Sequence, residues 1–70
     1  MDTSPSQKLS DNVRRARERS GLNQRDFALM VGVSRPIISA IEQGKEINIK
    51  LTTLHRLAEG IGVEPWELLK

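Results

Sequence analysis

The stretch "NQRDFALMVGVSRPIISAIEQG", residues 23–44, runs at helical spacing, breaks at Gly32 and resumes after Ser34. Its first half places Phe27, Ala28 and Val31 on one face, with Asn23 as a helix cap and Asp26 in the first turn. Gly32 can adopt the left-handed conformation that ends a helix. Ser34 then suits the cap of a second helix, and Pro36 its first turn, where a missing N–H costs nothing. Ile38 and Ile41 face inward, and Gly44 ends the piece. Two short helices joined by "GVS" must fold back steeply to share a core. A small residue is needed at the crossing, and Ala28 stands one turn before Gly32, with Val33 placed to plug the elbow.

The requirement is a helix-turn-helix. Its second helix is held by its inner face and offers its outer face, with Arg35, Pro36, Ile37, Ser39, Ala40 and Gln43, to a partner.

Around this centre the periodicity predicts three more helices. One runs from about Lys8 to Arg19, with Leu9, Val13 and Ala16 on one side and "SG" at Ser20-Gly21 as its stop. Another runs from about Lys50 to Glu59, with Leu51, Leu54, Leu57 and Ala58 as its apolar stripe and "GIG" as its end. A short fifth helix, "PWELLK", begins at Pro65, with Glu64 as a candidate cap. It is too short to stand alone and must pack Trp66 and Leu69 onto something. No segment shows convincing period-two alternation. The fold class is therefore all-α, with five helices and the turn between helices 2 and 3. Residues 1–7 read as a disordered tail and residues 8–70 as one domain.

Composition narrows the function classes. The chain of 70 residues has no cysteine and a single histidine, His55, so neither a disulfide framework nor a metal site is expected. No paired Ser/His/Asp or carboxylate site stands out, so no catalytic residues and no cofactor are assigned. His55 reads as a helix-surface residue. No apolar run approaches the roughly 20 residues of a membrane span. "MDTSPSQ" lacks the order of a signal peptide, and a cytoplasmic location is the expectation. The net charge of +2 conceals an asymmetry: residues 8–50 carry nine Lys/Arg against five acids, while residues 51–70 are mildly acidic. A basic front suits a polyanion, although a solvated mixed surface has the same composition.

The stretch resembles the helix-turn-helix of phage repressors and Cro proteins, the Xre-type family. Gln24, Ala28, Gly32, Val33, Ile38 and Ile41 fill the six positions that family constrains, "IEQG" matches its Ile-Glu-x-Gly, and "VEPWELL" its final helix. The similarity extends over about residues 8–69. It implies a sequence-specific transcriptional regulator that binds double-stranded DNA through the major groove. By this resemblance Arg35, Pro36, Ser39 and Ala40 match the base-reading places: arginine can pair with guanine, and Pro36 and Ala40 can press on thymine methyls. Gln24, Ser34, Gln43, Lys45, Asn48 and Lys50 are candidate phosphate contacts. Lys50 at a helix start opposes the helix dipole, which leaves two readings open: a docked phosphate that removes the conflict, or an exposed lysine tolerated at small cost. Arg17 and Glu42 match a pair that ties helix 1 to helix 3.

Relatives dimerise on pseudo-palindromes with half-sites about 34–36 Å apart. Ile61, Val63, Trp66, Leu68 and Leu69 exceed the needs of one small core, and Ile61, Val63, Trp66 and Leu69 are the candidate homodimer surface. Leu29 and Met30 depart from the charged residues usual after the alanine. They leave two readings open: a contact for a partner such as RNA polymerase, or scattered surface apolar residues, which are ordinary. "GKEINIKLTTLHRLA" resembles the restriction-modification controllers within the family. An antitoxin-like interaction module of the same fold is the alternative function, set second.

Overall fold

The computed structural model describes residues 4–46 and 48–70. Within them the chain forms four α-helices: α1 Pro5–Ser20, α2 Gln24–Val31, α3 Arg35–Glu42 and α4 Leu51–Ile61. A 3-10 segment, Pro65–Leu69, follows. No strand occurs among the described residues.

Helix α1 begins three residues ahead of the expected Lys8. The Ser4 hydroxyl accepts from the Gln7 N–H at 3.2 Å, and Pro5 occupies the first turn. A serine followed by proline is a helix start, and it shortens the expected tail. Residues 4–7 belong to the cap and first turn of α1, and the remainder of that expectation, residues 1–3, lies outside the described residues. Gly21, at φ +74°, closes the helix.

The fifth helix is corrected to a 3-10 segment, so the described residues hold four α-helices rather than five. Five residues provide too little length for α-helical hydrogen bonding to become self-sustaining, and 3-10 geometry suits such short pieces. Glu64 caps it reciprocally: its own N–H donates to the Glu67 carboxylate at 2.7 Å. Leu68 anchors the segment in the core.

That core is built from Leu9 and Val13 of α1, Phe27, Ala28 and Val31 of α2, Val33 of the elbow, Ile38 and Ile41 of α3, Leu57 and Ala58 of α4, and Leu68. Phe27, Ile38, Leu57 and Val13 are its largest fully enclosed apolar side chains. The predicted stripe of α4 is only partly inside. Leu57 and Ala58 are buried and Leu54 is half-buried, but Leu51 is 83% exposed. The periodicity continues one turn beyond the place where the core stops. Helix α4 also runs on through Gly60 to Ile61 and ends at Gly62, φ +92°, not at Glu59.

Candidate nucleic-acid interface

The elbow between α2 and α3 is set by backbone geometry. Gly32 sits at φ +74°, and the N–H groups of Gly32 and Val33 both donate to the Ala28 carbonyl, at 2.9 and 3.1 Å. This closes α2 in a left-handed turn. Val33 drops into the core and Ser34 restarts the chain in extended geometry. From α4, the Arg56 guanidinium reaches the Gly32 carbonyl at 3.5 Å, a support that no local sequence signal announces.

Helix α3 is bound by its inner face through Ile38 and Ile41. On the other side Arg35 and Pro36 are exposed, and Ser39 and Ala40 are half-buried. Gln43 is exposed and its amide donates to the Ser39 hydroxyl at 3.0 Å, so these two polar groups are pre-oriented as a unit. Ile37 is half-buried and packs against the core edge. Ser34 occupies the cap position of α3, but its hydroxyl makes no capping bond and stands exposed.

The far end of α3 is clamped. Arg17 Nε donates to Glu42 Oε2 at 2.7 Å and Nη2 to Oε1 at 3.0 Å, a two-pronged pair. The Glu42 side chain is 6% exposed and that of Arg17 21%. The side-chain hydrogen bond to Glu42 is the largest influence on Arg17 and raises its pKa above the ordinary arginine value; burial opposes it and the Glu42 and Glu18 charges assist it. Arg17 also donates to the Leu22 carbonyl at 3.2 Å, which ties the α1–α2 connection to the same point. Gln24, at the start of α2, is half-buried and directs its amide to Glu42 Oε1 at 3.4 Å. The structure thus brings Arg17, Gln24 and Glu42 together.

Beyond α3, Lys45 and Asn48 are exposed in the connection to α4, and Lys50 is exposed at the cap position of α4 with no side-chain cap bond. Asn48 and Lys50 line a recess of about 180 Å³ with Thr53 and Ile37. The recess joins the α4 start to the flank of α3. Lys45 is not among its lining residues.

The four residues expected at a dimer surface differ in exposure. Ile61 and Val63 are half-buried and line a groove with Ala16, Arg19, Phe27 and Met30. Leu69, 41% exposed, lines a different groove with Pro5, Leu9, Ile49, Leu51 and Leu54. Trp66 is 60% exposed, with the Lys70 ammonium 5.3 Å from its ring centre. Leu29 and Met30 are exposed on α2. Among the described residues no group of His, Cys, Asp and Glu is clustered to hold a metal, and no helix is long and apolar enough to cross a membrane.

A family model described as helix-turn-helix matches residues 13–68. The chain is 34% identical over 61 residues to a hypothetical transcription factor of Neisseria meningitidis serogroup B, an alignment that covers 87% of this chain and 57% of that one. It is 35% identical over 52 residues to the control protein C.MunI of a Mycoplasma species, covering 74% and 69%. The chain therefore spans little more than half the length of the first of these relatives. Among solved structures, the restriction-modification controller protein C.AhdI from Aeromonas hydrophila superposes with a TM-score of 0.74 at 31% identity, covering 87% of this chain and 91% of the other.

Proposed function

Because the chain belongs to the helix-turn-helix family over residues 13–68, we propose that it is a transcriptional regulator of the restriction-modification controller type, binding a pseudo-palindromic operator as a homodimer. One observation carries the reading: α3 is braced on its inner face by Ile38 and Ile41 and at its end by the Arg17–Glu42 pair, while its outer face presents Arg35 and Pro36 to solvent. A major groove about 12 Å wide admits one such helix.

In this reading Arg35 pairs with a guanine edge, and Pro36 and Ala40 meet thymine methyls. Ser39, oriented by Gln43, bonds to a base edge or the adjoining backbone. Phosphates lie against Ser34, Gln24, Lys45 and the Asn48–Lys50 recess. Gln24 is held in place by Glu42 at the start of α2, where main-chain N–H groups favour an anion.

The second copy covers Leu51, Leu54, Leu69 and Trp66. Leu51 and Leu69 are large apolar side chains left in water at the rim of one groove, which a two-fold partner would bury on both sides. Ile61 and Val63, half-buried beside a second groove, are the remaining candidates for this surface.

Selection of bound duplexes from a random pool, followed by gel shifts at several salt concentrations, tests the proposal. A two-fold-related consensus with affinity falling steeply with salt is the expected result. Binding without sequence preference ends it.

A further inference from the structure

Helix α1 carries three polar side chains whose partners lie far away in sequence. Ser10 is fully enclosed, yet its hydroxyl does not bond back to its own helix, as a mid-helix serine commonly does. It donates instead to the Glu42 main-chain carbonyl at 3.0 Å. Arg14, one turn on, donates to the same carbonyl at 3.1 Å and to the Ser10 hydroxyl at 3.1 Å. The last carbonyl of α3, which the helix itself leaves without a partner, thus receives two donors from α1. Asn12 lies two residues from each of them, on the opposite side of a helix with 3.6 residues per turn. Its amide donates to the Leu68 carbonyl at 2.8 Å, with the Glu67 carbonyl at 3.5 Å. One flank of α1 therefore holds the end of α3, and the other holds the end of the segment that carries Trp66 and Leu69.

We propose that α1 is a strut that fixes the position of the DNA-reading helix relative to the dimer segment, with Ser10, Asn12 and Arg14 as its positioning residues. The inference rests on the operator-binding reading above. In a two-fold dimer the distance between the two α3 helices is set by how each is held relative to the shared face, and that distance must match half-sites about 34–36 Å apart. Directed bonds to a carbonyl at each end add to the apolar packing and limit how far the helices can shift. Loosening either tether should widen the range of half-site spacings the dimer accepts, without altering the bases each half reads.

The test uses the selected operator with one or two base pairs inserted at, or removed from, its centre. Gel shifts on this series compare the parent with Asn12→Ala, Arg14→Ala, Arg14→Lys and Ser10→Ala. Ala58→Gly serves as a control that lowers stability without touching either tether. Asn12→Ala and Arg14→Ala should lose roughly two- to tenfold of spacing discrimination, the range one net hydrogen bond carries. Their half-site preference should stay as in the parent. Arg14→Lys, which keeps a donor, should recover part of the loss, and Ala58→Gly should leave the spacing profile unchanged. If Ser10→Ala does not fold, the half-buried Asn12 and Arg14 still decide the matter. Tether variants that keep the parent's spacing profile, or an equal broadening in Ala58→Gly, overturn the strut alone. A parent that binds no operator overturns the regulator reading, and the strut with it.

Discussion

Gly60 of α4 lies so close to Val31 of α2 that a β-carbon placed on it would come within 2.7 Å of Val31 Cγ1 and 2.9 Å of Val31 Cα. Real β-carbons do not approach main-chain atoms this closely, so the two helices can cross only where one of them has no side chain. The glycine is helical, and its role is close approach rather than an unusual backbone angle.

Gly60→Ala therefore sets two effects against each other. Alanine gains about 1 kcal/mol of helix propensity over glycine. Overpacking costs about 1–3 kcal/mol, and here the obstacle includes backbone, which cannot rotate away. The clash should win, and urea unfolding should show a net loss on the order of 1 kcal/mol. Val31→Ala should not rescue it, because the Val31 Cα remains in place. A Gly60→Ala protein as stable as the parent would mean that α2 and α4 can separate freely.

Arg17→Ala leaves the nearly enclosed Glu42 carboxylate without its cation. Breaking a buried pair in this way costs roughly 3–5 kcal/mol, and a core of this size supplies little more than about that amount. Arg17→Ala should be largely unfolded at room temperature by circular dichroism. Glu42→Ala should be milder, since the Arg17 guanidinium already reaches water. The pH dependence has a clear sign on the alkaline side. The Arg17 pKa is raised, so the pair's contribution is intact below the ordinary arginine value and is lost only above it. No alkaline melting from this pair is expected up to about pH 11.

The elbow is legible in the sequence because its signals are local. Gly32, Ser34 and Pro36 each constrain the backbone where they stand, and the spacing of Phe27, Val31, Ile38 and Ile41 then determines which faces turn inward. The exposed edge at Arg35 and Pro36 follows from the same spacing. Features that depend on distant packing leave no such trace. The tether made by Ser10 leaves none, because the carbonyl it holds lies 32 positions away. Gly60 reads as a terminator, because a helix crossing leaves no mark on periodicity. Leu51 reads as core, because a stripe does not announce where its partner ends. The Ser4-Pro5 start is masked by the polar composition around it, although its cap chemistry is present to be read.

Leu51→Glu separates folding from association. The side chain is almost entirely in water in one protomer, so the folding free energy should change by no more than about 0.5 kcal/mol. In the proposed dimer, where the second copy covers Leu51, the same substitution places charge in an apolar contact. Sedimentation should therefore show a folded monomer, and operator affinity should fall with the loss of the second half-site. A Leu51→Glu protein that still dimerises would place the shared face elsewhere, with the groove beside Met30, Ile61 and Val63 the next to test.

Arg35 and Lys45 should fail differently, and the difference distinguishes reading from positioning. Arg35 opens α3 with an exposed side chain, whereas Lys45 lies past its end in an exposed connection. Arg35→Ala should cost about 1–3 kcal/mol on the preferred operator and relax the choice at one base pair per half-site, leaving other positions unchanged. Lys45→Ala should weaken binding to all sequences alike and reduce the slope of log affinity against log salt by about one for each phosphate no longer neutralised. A two-fold dimer neutralises that phosphate twice, so a change near two is expected for the full operator and near one for an isolated half-site. Measuring both variants on both duplexes settles the assignment. If Lys45→Ala changed the preferred base, or Arg35→Ala altered only the salt slope, α3 would be entering the groove in a different register.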